Sequence, residues 1–330
     1  MPAAPNRRLV AVVLLVPIVV TLALWAFAWP AARTAPRDLP VGVAGSAPVA
    51  DRLQQQLEQR HDAFEIHRYD SEAAARTAIE DRSVYGAVVV TAKGPELLTA
   101  SAAGPVVAQL LREAVTASAP PGTPVPVTDV VAAPATDPRG GVLGASILPL
   151  AIAGVAAGSA VTLLRLRGGR AATAVLGVAA LVGIIAAALT DSWLGILTGD
   201  WWAEAGTLGL TVLAIGATVA GLAALIGPAG IGLGALLMVL VGNPFSGVTS
   251  APELLPRPVG MIGQWLPPGA GGSLLRSVAF FDGHAAGAAT LTLTLWAALG
   301  LTAVIVGGRR RPPAPEAPEA APSRQPALTP

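Results

Sequence analysis

The chain has 330 residues, of which 53% are hydrophobic and 12% charged, with a net charge of +1. That is too apolar for an ordinary soluble domain. It contains no cysteine, which excludes disulfides, thiol nucleophiles and thiolate metal sites. The small net charge carries little information, because the charges are segregated by loop, and no nucleic-acid partner is expected. Lys93 is the only lysine beside many arginines, a usage that fits a GC-rich bacterial genome.

Arg7 and Arg8 precede an uncharged run from Leu9 to Trp29. A hydrocarbon core of about 30 Å takes roughly 20 residues of helix, so this run is long enough to cross. It superficially resembles a secretory signal, with Ala26-Phe27-Ala28 as a cleavage box. Signal h-regions span only about 7–15 residues, so an uncleaved first span over residues 1–30 is expected. Pro17 is expected to kink it, and Trp25 and Trp29 to sit at the outer interface.

Residues 31–140 have another character, with charges and prolines returning. Asp38 to Ala44 reads as a short strand, and Val49 to Arg60 as a helix with Leu53 and Leu57 on one face. Phe64 to Tyr69 alternates apolar and polar residues, as a half-buried strand does. Ser71 is a good N-cap for the run Glu72-Ala73-Ala74-Ala75-Arg76. Tyr85 to Thr91 is a continuous β-branched run fit for a central strand. A further strand over Glu96–Ala100, a helix over Val106–Ala117 and a last strand over Val125–Ala132 complete a small α/β domain.

Apolar runs then resume. Val142–Leu164, Ala171–Leu189, Gly206–Ile226, the shorter Ile231–Val241 and Ala285–Val306 are expected as spans two to six, within a membrane domain over residues 141–308. Gly227-Pro228-Ala229-Gly230 marks a tight turn between the fourth and fifth. The loop from Asp191 to Ala205 carries Trp193, Trp201 and Trp202 as interfacial anchors. Residues 309–330 are rich in Pro and Ala and are expected as a disordered cytoplasmic tail.

The segment 243–284 is too apolar for a plain loop. It carries Leu254-Leu255-Pro256, then Met261-Ile262-Gly263-Gln264-Trp265-Leu266-Pro267-Pro268, then Leu274-Leu275-Arg276 and Phe280-Phe281-Asp282-Gly283. Short apolar stretches broken by prolines fit re-entrant or interfacial helices. Asn243, Pro252, Glu253, Pro256, Pro267, Arg276, Asp282 and Gly283 are its candidate functional residues. Arg276, a charge beside an apolar stretch, is expected to snorkel to the interface or to pair with Asp282.

The charges set a topology. Arg165, Arg167 and Arg170 lie between the second and third spans, and Arg309, Arg310 and Arg311 follow the last. Asp191, Asp200, Glu204, Glu253 and Asp282 occupy the other side. Short Arg-rich loops stay cytoplasmic, so both termini are expected inside and the α/β domain outside the plasma membrane. The fold class expected is an all-α membrane bundle of six transmembrane helices, with an extracytoplasmic α/β domain inserted between helices 1 and 2.

Little chemistry is encoded. There is no P-loop motif. His61, His67 and His284 do not have the spacing of a zinc site. No catalytic residue, metal site or cofactor is expected, since no nucleophile, base or ligand set converges in one segment. No expected span carries an ionisable residue, which speaks against an internal proton relay. Gly154-x-x-x-Gly158 and Gly230-x-x-x-Gly234 would allow close helix packing, including a homodimer seam.

One N-terminal span, a large outer α/β domain and five clustered spans resemble the ABC-2-type membrane proteins, in particular the YhgE/Pip-like branch. Leu39-Pro40-Val41-Gly42-Val43-Ala44, Ser71-Glu72-Ala73-Ala74-Ala75 and Tyr85-Gly86-Ala87-Val88-Val89-Val90 resemble that group's first strand, next helix and next strand. Pro252-Glu253-Leu254-Leu255-Pro256, Leu266-Pro267-Pro268, Leu275-Arg276 and Asp282-Gly283 resemble its last outer segment. The resemblance covers most of the chain. It implies a permease-like subunit, driven by a separate cytoplasmic ATPase and paired with a second copy, exporting hydrophobic or amphiphilic cargo along a path lined by the second and fifth spans. The chain departs from the pattern in its short inner loop Arg165–Arg170 and in the few residues before its first span, which leave little for an ATPase to grip. The alternative reading is a non-transporting envelope scaffold or receptor whose outer domain binds a partner.

Overall fold

The computed structural model describes residues 4–45, 63–91, 94–118 and 124–309. The expected helix Val49–Arg60, His61, Lys93 and the tail 310–330 lie outside them. A long helix α1 (Ala4–Ala31) leads into β1 (Leu39–Gly45), β2 (Phe64–Tyr69), α2 (Glu72–Glu80), β3 (Gly86–Thr91), β4 (Gly94–Thr99), α3 (Pro105–Ser118) and β5 (Val127–Asp129). Helices follow: α4 (Gly141–Leu163), α5 (Gly168–Ala187), α6 (Trp201–Ile226), α7 (Ala229–Ala235), α8 (Val259–Gln264), α9 (Pro267–Phe280) and α10 (Gly287–Arg309). Wider turns of π type, Ala188–Trp193 and Leu236–Gly242, extend α5 and α7.

Among the described residues five helices are long and apolar enough to cross a membrane: α1, α4, α5 with its extension, α6 and α10. These mark a multi-pass membrane protein. The expected fifth span is the shorter apolar helix Ala229–Phe245. It sits at the lower end of the roughly 17–25 residues that a crossing takes.

α6 is the axis of the bundle. In its apolar stretch 67% of residues are buried, against 6–44% in the other four. Small residues make this possible, because they let backbones approach. A Cβ on Gly158 of α4 would stand 2.5 Å from the Gly216 carbonyl oxygen of α6. One on Gly300 of α10 would stand 2.4 Å from the Ala217 carbonyl carbon. The two glycine spacings proposed above for a dimer seam are therefore already used within the chain. Gly154 and Gly158 face Ile215 and Gly216, while Gly230 and Gly234 face Leu222 and Val219. Thr211 and Thr218 bury their hydroxyls by donating to the Thr207 and Ala214 carbonyls one turn back.

α6 also begins earlier than the expected Gly206. Asp200 is its N-cap and accepts from the Ala203 N–H at 2.8 Å. Glu204, expected in the preceding loop, thus lies in the first turn of the helix and is fully buried. Its Oε1 accepts from the Gly199 N–H at 2.8 Å, and its Oε2 has no hydrogen-bond partner.

The sheet has the order β2-β1-β3-β4-β5. It is mixed: β1 is parallel to β2 and β3, β4 is antiparallel to β3, and β5 is parallel to β4. β3 occupies the central position that its unbroken apolar run requires. Val88 enters one core, with Leu39, Val41 and Leu97, and Ala87 and Val89 enter the other, with Ala75 and Ile79 of α2. Ser71 caps α2 as expected, its hydroxyl accepting from the Ala74 N–H. Both cores draw on distant residues. Ala251 and Leu254 complete the first, and Phe281 the second. The sheet is therefore finished by the segment that follows α7.

Candidate functional site

The segment 246–286 is folded, and most of it is buried. Pro252–Leu254 forms a single 3-10 turn, α8 follows, and Pro267 opens α9 at its first position, where a missing N–H costs nothing. α9 is not an interfacial helix with an exposed face: from Pro267 to Ala279 every residue is buried except Ser273 and Val278. It packs on α6 through Gly271, whose position leaves no room for a Cβ beside Thr211.

This segment clasps the sheet. The Ala35 and Arg37 N–H groups donate to the Leu254 and Glu253 carbonyls, each at 3.0 Å. The Arg37 guanidinium adds a bond to Leu254 O, and Asp38 pairs with Arg257. On the other side, the turn from α2 to β3 faces the turn from α9 to α10. There His284 Nε2 lies 3.6 Å from Asp81 Oδ1. Arg82, held at a left-handed φ of 59°, donates to Ser273 O at 3.0 Å and lies over the Phe281 ring.

Between these contacts lies a cavity of about 490 Å³. Arg82, Tyr85, Glu253, Gln264, Ser273 and Arg276 supply its polar wall, and Ala288, Leu291 and Thr292 of α10 its other wall. The Tyr85 hydroxyl donates to Glu253 Oε2 at 2.7 Å. Burial raises the Tyr85 phenol above its ordinary range, and the Glu253 charge and hydrogen bond raise it further. Burial pushes both guanidiniums down, and for Arg276 the facing Arg82 charge adds to this. Both remain cationic at neutral pH, as arginine does. Gln264 is fixed by donating to Ser246 O at 2.7 Å and by accepting from Ser273 Oγ at 2.5 Å.

The structure brings together two of the candidate residues, Glu253 and Arg276, with Pro252 beside them. Arg276 neither snorkels nor meets Asp282. It is 6% exposed and donates through Nη2 to Val248 O at 2.9 Å, while Asp282 is exposed in the turn before α10. Gly283 serves that same turn at φ 81°. Asn243 opens the short helical turn Asn243–Phe245 that follows the α7 extension, Pro256 lies in the link to α8, and Pro267 at the start of α9. Sequence reasoning missed Arg82, Tyr85, Gln264 and Ser273. Arg82 and Tyr85 belong to an ordinary helix-to-strand turn, and nothing local marks their pairing with residues about 170–190 positions away.

No family model, curated protein or solved structure matches this chain. The functional reading therefore rests on the residues and their geometry. Within the chain α4, α6 and the extension of α7 pack together through Ala151, Ile215 and Met238, all fully buried. One polar space near the membrane-crossing helices is the cavity at the sheet end. A second hollow, of about 440 Å³, lies at the opposite end beside Arg165 and Arg167.

Proposed function

We propose that this chain is a permease-like subunit of an ABC-2-type export system, with its sheet end outside the plasma membrane, and that it passes amphiphilic cargo outward. The observation that carries this reading is the cavity between the sheet and α10. One wall is charged, and the other is the end of an apolar span. Such a two-sided site suits a molecule with a polar head and an apolar body. The charge pattern supports the orientation: Arg165, Arg167, Arg170 and Arg309 all lie at the end of the bundle away from the sheet. α6, enclosed by its neighbours, is the frame against which the flanking helices shift.

One observation favours a second reading, a non-transporting scaffold or receptor. At the arginine end α4 and α5 are joined by only Leu164–Arg167, and α6 and α7 by Gly227 and Pro228. These links offer an ATPase little surface. The deciding experiment is a pull-down of the detergent-solubilised protein from its own membranes, read by mass spectrometry. A stoichiometric P-loop ATPase is the expected result. Recovery of envelope proteins without any ATPase would overturn the permease reading in favour of the scaffold.

A further inference from the structure

We infer that the cavity at the sheet end is a headgroup site for a glycerophospholipid, its phosphodiester held between Arg82 and Arg276. The inference deepens the export reading and rests on it for the sheet end's place at a membrane surface.

Each guanidinium carries five N–H groups. Arg276 spends one nitrogen on Val248 O, and Arg82 one on Ser273 O. Among the described residues the only sealed side-chain polar atom without a partner is Glu204 Oε2. The remaining guanidinium nitrogens are therefore not sealed in protein; both residues line the cavity, and Arg276 also borders a small hollow beside Asp137 and Phe280.

Two arginines face one carboxylate, and one oxygen of that carboxylate is already taken by Tyr85. Among the described residues neither Arg82 nor Arg276 is in a salt bridge. The site thus carries one positive charge in excess, and a single anionic group neutralises it.

The two guanidiniums come from different elements, the turn before β3 and the middle of α9. A carboxylate is satisfied by one planar fork. A phosphodiester presents two tetrahedral oxygens in different directions, which suits two donors that approach from two sides. The volume of about 490 Å³ also falls within the roughly 300–1,000 Å³ of small-molecule sites, far more than a bare phosphate fills.

The cavity meets the first turns of α10, a helix apolar enough to cross a membrane. Leu291 and Trp265, both on the cavity wall, are about 60% exposed. Trp296 Nε1 donates to Trp265 O and fixes α8 to α10. A head in the pocket thus leaves its acyl chains to lie along α10, with tryptophans at the interface.

The test is native mass spectrometry of the full-length protein, titrated with phosphatidylglycerol, phosphatidylethanolamine and soluble glycerophosphoglycerol. One phosphatidylglycerol per chain is expected to be retained, in preference to phosphatidylethanolamine. Arg82→Gln is expected to weaken retention about tenfold. Glu253→Gln leaves Tyr85 an acceptor and raises the site charge, so it is expected to tighten phosphatidylglycerol about threefold or more. A gain of this kind cannot come from misfolding. Unchanged retention in Arg82→Gln, or no gain in Glu253→Gln, would overturn the site. Glycerophosphoglycerol that competes as well as the lipid would overturn the lipid assignment and leave a soluble phosphodiester as the ligand. Failure here with an ATPase recovered in the pull-down leaves the permease reading standing without this cargo. Lipid retention without an ATPase makes the chain a lipid receptor.

Discussion

Gly300→Val is expected to lower the unfolding temperature of the solubilised protein by about 5–10 °C, a loss of about 2–3 kcal/mol. The reason is backbone contact. α10 approaches α6 so closely that a Cβ on Gly300 would stand 2.4 Å from Ala217 C and 2.6 Å from Thr218 N. A side chain tip can swing away, but a helix backbone cannot. α10 must then move off α6, and the cluster of Ala214, Ala270, Leu274, Leu293 and Ala297 opens with it. Gly177→Val is the control, because a Cβ there meets nothing within 4 Å. It is expected to change stability by less than about 0.5 kcal/mol. Equal melting of the two variants would mean that α10 does not pack on α6 in this way.

Glu253→Ala is the second large effect. It removes the acceptor of the Tyr85 hydroxyl and the carboxylate that faces Arg82 and Arg276. An unpaired polar group in such a place costs about 1–3 kcal/mol, more where charge is involved. The loss is expected to be local, because Glu253 sits in the turn whose Leu254 closes one core of the sheet. Hydrogen exchange should quicken in β1 and β3 while α6 keeps its protection. Tyr85→Phe should show a smaller change of the same pattern, since it leaves the carboxylate in place. Uniform loss of protection across α6 would contradict the local role given to this contact.

Much of the architecture was legible because it is periodic or extended in sequence. The β-branched run of β3, the alternation of β2 and the Ser71 cap are local signals, and each marks its element within a residue or two. The long apolar helices announce themselves by length alone. Helix starts were harder. Trp201, Trp202 and Glu204 look like an interfacial loop, yet the Asp200 cap puts them in the first turn of α6. β5 ends at Asp129, short of the expected Ala132; the Asp129 carboxylate is engaged by the Ser101 N–H and hydroxyl, and Val130 N–H donates to Thr99 O.

The site was half legible for a related reason. Arg276 stands out as a charge beside an apolar stretch, and Glu253 as a member of the Pro252–Pro256 motif. Their partners Arg82 and Tyr85 lie where charge and aromatic residues are commonplace, and only the tertiary fold brings Arg82 to α9 and Tyr85 to the Pro252–Leu254 turn. The position of α6 as the axis was hidden too. In sequence it reads as one apolar span among several, whereas in three dimensions its small residues are what allows α4, α5, α7, α9 and α10 to approach it.

The orientation of the bundle carries both the export reading and the lipid site, and the absence of cysteine makes it directly measurable. Single cysteines are placed at Ser83, exposed beside the cavity, and at Gly169, exposed at the arginine end. A membrane-impermeant maleimide is expected to label Ser83→Cys in intact cells, and Gly169→Cys only after the cells are permeabilised. Labelling of Gly169→Cys from outside, with Ser83→Cys protected, would put the sheet and its cavity in the cytoplasm and contradict the account.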